Sequence, residues 1–556
     1  MKCLLVTVLV SVSFFGSEAL AQPALSITGR VVASEGNFPI ANARVMARAV
    51  GVSGTSSTQM VMTNEDGDFQ LTNLRPANYA IRVVTAGYIV ESSPSATPFY
   101  RPGENVTFRM VKGGVITGRV LNTHGEPMTL ARVRVLRVKD SAGGIVRDSS
   151  AVRDWVTDDR GNYRIYGLEP GAYTVAAGPA NTFRPATTPA PNSDTAFTYY
   201  PSATLDGATL VNVYAGDETR SIDIRYRIQS SYLVAGTVAG GDTRGSETSS
   251  SRAVISVMLS HVATGVGVAS TSVMPVGAKT AFSFNGVSDG VYELTAVTGL
   301  GKSDAAVSLP QRVTVSGANV TDVVLTLTPL SSVTGRVMLE TTATTEPVEA
   351  CREARLPLPE EILITARRDK DATKQNPALT SLPLVAQPDA RGEFSLISMT
   401  AGRYSLDVRP PNRLWYVHNI AWAGATNPQA KIPLNGLTLK QGERLQGLTI
   451  TLARGAASIS GRVSVAAESA ESLHVYVVPA QRENDVEALR YSEAQVKPDG
   501  TFSVAHLAPG RYWLLARAPA DADTAKTLKR AAEKANLAVE LQPCQQLSNY
   551  VLNFTP

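Results

Sequence analysis

Histidine is the side chain that most readily does acid–base or metal chemistry near neutral pH. The sequence holds five: His124, His261, His418, His474 and His506. A hydrolase needs a nucleophile beside a base, or a metal held by several ligands. The five histidines are scattered over 556 residues, and no His-Glu-x-x-His pair occurs. We therefore predict a non-catalytic chain without metal or cofactor, in which most histidines are surface or loop residues.

A short acidic segment, Asn64-Glu65-Asp66-Gly67-Asp68, has the composition of half a calcium loop. Calcium collects carboxylate and carbonyl oxygens, but the bidentate Glu that closes an EF-hand loop does not follow at the required interval. Asn and Asp also cap tight turns by bonding the backbone two residues on. We interpret this segment, and the similar one from Thr157 to Tyr163, as turns.

The densest aromatic stretch runs from Leu414 to Trp422. Exposed indole and phenol rings at Trp415, Tyr416 and Trp422 could stack on sugar rings. The same letters also alternate as a strand would, with Trp415 and Trp422 packed in a core or at a domain junction. Tyr199 and Tyr200 form a weaker candidate of the same kind, with packing of a long loop as the alternative.

The sequence contains three cysteines, Cys3, Cys351 and Cys544. Cys3 lies in the predicted signal peptide, so Cys351 and Cys544 remain after its cleavage. Two thiols in an oxidising compartment favour a disulfide. Two buried free thiols are the alternative, because the residues are far apart in sequence.

The N-terminus has the features of an export signal. Lys2 precedes an apolar run from Leu4 to Phe15, and Ala19-Leu20-Ala21 fits a signal peptidase site. The run is shorter than the roughly 20 residues that span a bilayer. We predict a signal peptide over 1–21 and no membrane span after cleavage, and hence a secreted, periplasmic or cell-surface protein.

A pair of aromatics separated by ten residues recurs five times. The pairs are Phe69 and Tyr79, Tyr163 and Tyr173, Phe282 and Tyr292, Phe394 and Tyr404, and Phe502 and Tyr512. An opening of the type Thr-Gly-Arg-Val precedes each pair, at Gly29, Gly118, Gly236, Gly335 and Gly461. Internal repetition of this kind marks a repeated structural unit.

Turn residues surround each aromatic pair. An Asp/Asn–Gly turn precedes the first ring in four of the units, as at Gly67, and a second Gly turn, with Pro in three units, precedes the second ring. Each unit closes with an alternating strand such as Val106 to Met110. Burying one face of these strands requires an opposing sheet, so each unit is predicted to be a two-sheet sandwich.

The predicted domain organisation follows these repeats. The signal peptide, 1–21, precedes sandwiches over 22–112, 113–229, 230–329, 330–454 and 455–556, here called units 1 to 5. One helix is expected from Ala525 to Ala535, capped by Asp523-Thr524 and covering an edge of the last sandwich. Residues 179–194 and 239–251 are predicted to be exposed loops.

The bulk composition agrees with an all-β array. Charged residues make up 18% of the chain, and Val, Thr and Ser recur in short runs. A chain of 556 residues exceeds the size of one hydrophobic core. The formal charge of +4 comes without a basic stripe, so nucleic acid is not an expected partner.

The Gly-Arg-Val opening, the Asp-x-x-Gly-x-Phe/Tyr turn and the Leu-x-Pro-Gly-x-Tyr turn resemble the carboxypeptidase regulatory-like domain. This is a transthyretin-like (prealbumin-like) sandwich, grouped with carbohydrate-binding-like folds and related to the B-type repeats of collagen adhesins. The resemblance implies five tandem Greek-key β-sandwiches exposed outside the cell, without a common catalytic residue. A related group carries a Lys to Asn isopeptide bond, but no opening strand here contains Lys.

Three functions are compatible with these features. The first is an exported binding or scaffold protein, carbohydrate-binding or adhesive, whose partner is a polysaccharide or a cell-surface protein. The second is a plain spacer without a small ligand, which predicts an extended shape. The third is the accessory subunit of an extracellular hydrolase. The sequence does not identify the ligand, the oligomeric state or the compartment outside the cytoplasm.

Overall fold

The computed structural model describes most of the chain, apart from residues 1–24, several loops and the last three residues. The described ranges are 25–50, 58–91, 99–146, 152–179, 197–240, 254–265, 267–275, 279–340, 351, 356–368, 384–422, 436–464, 473–480, 491–518, 525–535 and 537–553. The signal peptide with Cys3, most of both predicted exposed loops and the helix cap Asp523-Thr524 lie outside them.

Strands dominate the described residues, which confirms the predicted all-β class. Unit 1 contains β1 (Ile27–Ala33), β2 (Arg44–Ala49), β3 (Gln59–Met62), β4 (Asp68–Leu71), β5 (Tyr79–Val84), β6 (Tyr88–Val90), β7 (Phe99–Tyr100) and β8 (Asn105–Lys112). Unit 2 contains β9 (Gly114–Leu121), β10 (Arg132–Asp140), β11 (Val152–Val156), β12 (Asn162–Leu168), β13 (Gly171–Gly178), β14 (Thr198–Tyr199), β15 (Val211–Val213), β16 (Glu218–Thr219) and β17 (Ile224–Arg225).

Units 3 to 5 repeat this succession. Unit 3 contains β18 (Tyr232–Ala239), β19 (Ile255–His261), β20 (Gly267–Val273), β21 (Lys279–Val287), β22 (Gly290–Thr298), β23 (Ala306–Ser308), β24 (Gln311–Val315) and β25 (Val320–Pro329). Unit 4 contains β26 (Ser331–Glu340), the 3-10 turn Pro359–Glu361, β27 (Leu363–Arg368), β28 (Val385–Ala386), β29 (Glu393–Met399), β30 (Gly402–Arg409), β31 (Trp415–Trp422), β32 (Leu437–Leu439) and β33 (Arg444–Arg454). Unit 5 contains β34 (Ala457–Ser464), β35 (His474–Pro479), β36 (Ser492–Gln495), β37 (Thr501–Leu507), β38 (Gly510–Arg517), helix α1 (Ala525–Ala535), β39 (Ala538–Leu541) and β40 (Gln546–Asn553).

Two sheets face each other in most units, and every strand ladder lies inside one of the five predicted ranges. In unit 1 the orders are β4-β1-β8-β6 and β3-β2-β5-β7, and unit 4 repeats both. Unit 5 repeats the second order and the first three strands of the first, as β37-β34-β40. In unit 3, β23 pairs with both β22 and β25 and so joins the two sheets at one side. The first and last strands of each unit pair in parallel, as in the register of Thr28 with Asn105 through Ala33 with Met110.

Each unit has its own hydrophobic core, built by strand alternation. Strand β4 shows it clearly, because Phe69 and Leu71 are buried while Asp68 and Gln70 are exposed. Five separate clusters of buried apolar side chains result, one in each unit. All ten aromatics of the repeat lie in them. They are Phe69, Tyr79, Tyr163, Tyr173, Phe282, Tyr292, Phe394, Tyr404, Phe502 and Tyr512.

The second aromatic of every pair is a tyrosine because its hydroxyl ties down the preceding turn. Each hydroxyl donates to the backbone carbonyl four residues earlier, at 2.7 to 3.1 Å. Tyr512, for example, is fully buried and bonds the carbonyl of Ala508 at 2.7 Å. The ring fills the core while its polar end satisfies a turn carbonyl, which fixes the distance between the two aromatics.

We expect Tyr512→Phe to lower the free energy of unfolding of unit 5 by about 1 to 2 kcal/mol. The substitution keeps the ring but leaves the carbonyl of Ala508 without this donor. Urea unfolding followed by hydrogen exchange of β38 measures the loss. Tyr214→Phe, at an exposed tyrosine, is the control and should leave stability unchanged. Equal stability of the two variants would show that the hydroxyl contributes nothing.

The glycine of each opening strand permits close approach of the last strand. A Cβ at Gly29 would lie 2.1 Å from the carbonyl oxygen of Val106 and 2.7 Å from the ring of Phe69. At Gly461 the corresponding distance to the carbonyl oxygen of Tyr550 is 1.8 Å. Since a real Cβ cannot occupy these positions, the Gly-Arg-Val motif reflects steric need at the parallel ladder.

Helix α1 forms over the predicted residues but packs differently from the prediction. It covers the outward face of the second sheet of unit 5, where Ala532 joins Tyr476, Val478 and Leu515 in a small buried cluster. Those sheet residues belong to the central strands β35 and β38, not to an edge. The predicted edge position was wrong because this sheet face is itself apolar and requires cover.

Candidate functional site

Three of the four connections between consecutive units are only one or two residues long. One residue, Gly113, separates β8 from β9, and Leu330 alone separates β25 from β26. Gly455 and Ala456 separate β33 from β34. The amide of Gly113 donates to the carbonyl of Gly87 at 2.9 Å, which fixes unit 2 against unit 1. Connections of this length leave little freedom between neighbouring units.

The most polar buried junction joins units 1 and 4, which are distant in sequence. Arg101, 9% exposed, donates through Nη2 to the carbonyl of Pro410 at 2.6 Å and through Nη1 to the carbonyl of Pro411. Its Nε donates to Oδ1 of Asn78 at 3.2 Å. Asn78, fully buried, bonds the carbonyl of Glu361 at 3.2 Å. One guanidinium therefore saturates three acceptors on both sides of the contact.

The surroundings of Arg101 affect its pKa in opposite directions: burial and Arg409 lower it, while Glu104 and Glu361 raise it. Burial, with a smaller contribution from the nearby Arg409, lowers the pKa of Arg101 to about 10. Arg409 of unit 4 in turn donates to the carbonyl of Phe99 and pairs with Glu104 of unit 1 at 3.3 Å. Arg101 stays charged at neutral pH, and its desolvation is compensated by charge-assisted hydrogen bonds. We call Arg101, Asn78, Arg409 and Glu104 the clasp.

Unit 5 is fastened to unit 4 at two places. Cys351 and Cys544 are joined with a sulfur–sulfur distance of 1.98 Å and a Cα–Cα distance of 5.4 Å. Cys544 is buried and packs with the core of unit 4. Close to the clasp, Nδ1 of His506 lies 2.9 Å from the carbonyl of Trp415.

We expect the paired variant Cys351→Ser with Cys544→Ser to lower stability by about 2 to 4 kcal/mol, because the bond closes a loop of 193 residues. Calorimetry of the exported chain with and without a reductant measures this change. The reductant should lower the melting temperature of the wild type and leave the variant unaffected. Two alkylated thiols in the unreduced wild-type protein would rule the bond out.

Acidification is expected to weaken the contact between units 4 and 5. Burial lowers the pKa of His506, and Arg101 and Arg409 lower it further against the hydrogen bond to Trp415. The unfolded state therefore takes up the proton first as the pH falls. The stabilising contribution present above about pH 6.5 is lost as the pH falls through the depressed pKa of His506.

Hydrogen exchange of β31 and β37 between pH 7.5 and pH 5 tests this expectation, after correction for intrinsic exchange rates. Protection should fall with pH in the wild type and much less in His506→Gln. His124→Gln, at an exposed turn, is the control. A wild type and a His506→Gln variant with the same pH dependence would contradict the assignment.

Contacts between units 2 and 3 and between units 3 and 4 complete a closed cycle of four units. Nε2 of His261 in unit 3 lies 2.7 Å from Asp206 in unit 2, and its Nδ1 lies 3.1 Å from Thr264. The amide of Gly301 in unit 3 donates to Ser398 in unit 4 at 3.2 Å. Units 1, 2, 3 and 4 thus touch in order, the clasp closes the cycle, and unit 5 attaches to unit 4.

The prediction that most histidines are surface or loop residues requires correction at two of them. His261, 1% exposed, is neither a surface nor a loop residue but a buried link between two units. His506 likewise lies at a junction. His124 and His418 are exposed, as expected. The spacing of histidines in the sequence carries no signal for these contacts, since their partners come from other units.

Of the two interpretations of the aromatic stretch in unit 4, sugar stacking and packing, the structure favours packing for both indoles. Trp415 is 0% exposed and lies in the core, and Trp422 packs against the same core while its Nε1 donates to the carbonyl of Gln446. A β-bulge between Val417 and Asn419 keeps both indoles on the inner face. Tyr416 is half-buried, so the described structure offers one ring of the three on the outer side.

The weaker aromatic candidate in unit 2 is also packed. Tyr200 lies against the core of unit 2. Tyr199 pairs with Ala176 in the second sheet, and burial raises its pKa, with Tyr292 of unit 3 near enough to raise it further. These positions favour the packing alternative for both residues.

The acidic segment near Asn64 is a capped turn in the structure. Oδ1 of Asn64 accepts the amide of Asp68 at 2.8 Å, and Asp158 accepts that of Asn162 at 2.7 Å in the equivalent turn. Among the described residues no three His, Cys, Asp or Glu side chains gather as a metal site would require. No helix in the described part of the chain is long and apolar enough to cross a bilayer.

The segment Gly286-Val287-Ser288-Asp289-Gly290 has the letters of a nucleophile elbow. The structure places it in the turn between two strands, β21 and β22, not between a strand and a helix. Ser288 lies 3.2 Å from the hydroxyl of Tyr292, while both ring nitrogens of His261 contact Asp206 and Thr264. The segment is the tyrosine-bonded turn of unit 3.

Comparison with solved structures finds several likenesses, all at low identity. The Bacillus anthracis TIE protein shares 14% identity over 55% of this chain, with a TM-score of 0.15, and the match spans 51% of that protein. The minor pilin GBS52 of Streptococcus agalactiae shares 13% identity over 37% of this chain and 98% of its own, with a TM-score of 0.20. The shaft pilin SpaA of Lactobacillus rhamnosus GG shares 12% identity over 36% of this chain and 96% of its own, with a TM-score of 0.17. No curated protein matches this chain.

Comparison with family models confirms the resemblance for the first unit. The matched residues, 26–110, include the whole of β1 to β7 and end within the closing strand β8. The Gly-Arg-Val opening, the turn at Gly67 and the tyrosine-bonded turn at Tyr79 lie inside the match. Residues 26–110 of this chain match the carboxypeptidase regulatory-like domain.

Proposed function

We propose that this protein is an exported, non-catalytic scaffold that holds five sandwich units in one fixed arrangement and presents their outward faces to a partner protein. The clasp is the observation that carries the proposal. A spacer needs only end-to-end contacts, whereas Arg101 and Arg409 connect unit 1 to a unit about 300 residues later. Closing the cycle fixes the relative orientation of units 1 to 4.

The chemistry of the clasp supports a permanent contact. Arg101 and Asn78 are buried and donate to backbone carbonyls of unit 4. These acceptors do not depend on the rotamer of any side chain in unit 4. A buried guanidinium without acceptors would be strongly unfavourable, so separating units 1 and 4 requires rehydrating both sides. The arrangement is suited to presenting surfaces at constant spacing.

Export is the second part of the proposal. The predicted signal peptide over 1–21 supports it, as does a disulfide between Cys351 and Cys544, which belongs to an oxidising compartment. We place the protein in the periplasm or at the cell exterior. Mass spectrometry of the exported chain should find Gln22 at the mature N-terminus.

Small-angle scattering of the full mature chain tests the scaffold. A compact body of this length has a radius of gyration of about 24 Å, and five sandwiches in line would give roughly twice that value. We expect a value close to the compact one, with little change between low and high salt. An extended profile would overturn the scaffold and favour the plain spacer. A chain retained in the cytoplasm with its first residues intact would overturn export.

Polysaccharide binding is the alternative function, and it has fewer candidate rings than the sequence suggested, because the indoles of Trp415 and Trp422 face the core of unit 4. It would depend on Tyr416, whose ring lies at the outer side of the edge strand β31 with His418 at 6.2 Å. A glycan panel probed with the wild type and with Tyr416→Ala decides between the two. Saturable binding by the wild type that is lost in the variant would favour polysaccharide binding. If neither protein binds a glycan, the scaffold for a partner protein remains the better explanation.

A further inference from the structure

The outward face of the second sheet of unit 1 combines methionine and arginine side chains. Its rows follow the strand register: Met62, Arg44 and Val84 lie side by side, and Met60, Met46 and Arg82 form the next row. These six residues are called the Met/Arg face. Met60, Met62 and Val84 are 59%, 50% and 40% exposed, which is unusual for such side chains on a sheet.

The positive charges of this face are not balanced locally. Strands β2, β3 and β5 contain no acidic residue. Among the residues that the structure describes, neither Arg44 nor Arg82 makes an ion pair. The face therefore presents at least two free guanidinium groups around a patch of flexible apolar side chains.

Unit 2 shows how the same sheet position is neutralised within this chain. The amides of Ala43 and Ala131 each donate to a threonine of the neighbouring turn, which aligns the two units residue by residue. By this alignment Met60 corresponds to Asp154 of unit 2. Asp154 pairs with both Arg132 and Arg134, the latter at 2.8 Å.

The neutralisation in unit 2 is effective. Although burial raises the pKa of Asp154, hydrogen bonds from Arg134 and Arg132 hold it below the usual range. The guanidinium of Arg134 also lies 4.7 Å from the centre of the Phe197 ring. Unit 1 has a methionine where unit 2 has this carboxylate, so its arginines lack an internal partner.

Unit 5 shows what covers an apolar face at the corresponding sheet. There Tyr476 and Leu515 of the central strands are buried beneath helix α1, through Ala532. Three strands spaced by about 4.8 Å give a face about 10 Å wide, which matches the diameter of one helix. The face of unit 1 has a similar width and no helix of its own among the described residues.

We propose that the Met/Arg face of unit 1 binds an amphipathic helix of a partner protein whose polar sides are acidic. Methionine adapts to a helix packed on it, and arginine pairs bidentately with carboxylates at the margin. The charge selects against basic helices such as α1 itself, which carries Lys529, Arg530 and Lys534. The partner class is set by charge complementarity and by the width of the face.

This inference rests on the proposed scaffold function and names the face that it presents. Its test uses the full mature chain, after scattering has verified that the chain is compact. Two synthetic peptides of about 18 residues serve as probes, because isolated helices shorter than about 12 to 15 residues are marginal in water. Both carry Leu at helical spacing; one carries Glu at the other positions, and the second carries Lys.

Isothermal titration should show saturable binding of the Leu/Glu peptide, one peptide per chain, and at least tenfold weaker binding of the Leu/Lys peptide. Met60→Asp, which places a carboxylate where unit 2 has Asp154, should weaken binding of the Leu/Glu peptide at least tenfold, as should Arg82→Glu. Val324→Asp, at a strand residue of unit 3 that is 53% exposed, is the matched control and should bind as the wild type does. Circular dichroism and scattering verify that every variant keeps its fold.

Other results would overturn the proposal. Equal binding of both peptides, or binding unchanged by Met60→Asp and Arg82→Glu, would remove the Met/Arg face as the site. Equal affinity for a Glu-only peptide without Leu would show that the interaction depends on charge alone and not on apolar contact with the methionines. Binding of phosphatidylglycerol vesicles or of heparin in the absence of peptide binding would assign the face to a lipid or polysaccharide. In each case a compact exported chain leaves the scaffold function intact.

Discussion

Replacing Arg101 by methionine is expected to release unit 1 from unit 4 and to open the cycle of units. The variant keeps an unbranched side chain but removes the donors for the carbonyls of Pro410 and Pro411. Each buried acceptor left unsatisfied costs about 1 to 3 kcal/mol, so the contact loses about 3 kcal/mol or more. A loss of that size changes the ratio of closed to open molecules by roughly a hundredfold.

Scattering detects this opening as a rise in the radius of gyration, and hydrogen exchange detects it at the amide of Asn78, which bonds Gln387 of unit 4 at 3.0 Å in the closed form. Arg109→Met is the matched control, since Arg109 is an exposed arginine of the same unit whose side chain bonds Asn37 and no residue of unit 4 in the described part of the chain. An Arg101→Met variant with wild-type scattering and wild-type exchange at Asn78 would show that the clasp does not hold the units together.

Replacing Gly461 by alanine is expected to disrupt the core ladder of unit 5. The new Cβ would lie 1.8 Å from the carbonyl oxygen of Tyr550, and the backbone there cannot rotate away as a side chain could. Overpacking usually costs about 1 to 3 kcal/mol and exceeds this when backbone blocks the added group. We expect a loss of at least about 3 kcal/mol, sufficient to expose β40 to exchange.

Ser464→Ala tests the specificity of that result, because Ser464 is an exposed residue of the same strand. Hydrogen exchange of Gln546 to Asn553 should be fast in Gly461→Ala and slow in the control. Because the units have separate cores, protection in units 1 to 3 should remain. Full protection of β40 in Gly461→Ala would mean that the ladder tolerates a wider spacing and that the glycine has another purpose.

The fold of each unit could be predicted because its determinants are local. The turn at Gly67, the ring of Phe69 and the hydroxyl of Tyr79 act within about ten residues of one another, so their spacing is visible in the sequence. The same holds for α1, whose apolar side is one helical stripe. What α1 covers was predicted less well, since the apolar outer side of β35 and β38 becomes apparent only when the sheet is assembled.

The junctions could not be predicted in the same way. Arg101 and Pro410 are 309 residues apart, and nothing in the local pattern of either marks the other as its partner. His261 and Asp206 likewise come from different units. The sequence left binding and packing open for the aromatic stretch of unit 4, because a bulge between Val417 and Asn419 changes which rings face inward. Strand alternation read from sequence assumes that no such irregularity occurs.

The parallel pairing of first and last strands has a mechanical consequence. If the chain is stretched by its ends, β1 is drawn toward its start and β8 toward its finish, so the two neighbours are pulled past each other lengthwise. Their hydrogen bonds, from Thr28 with Asn105 to Ala33 with Met110, then bear the force together and do not open one after another. Every unit has this geometry, so the protein is built to resist tension along its length.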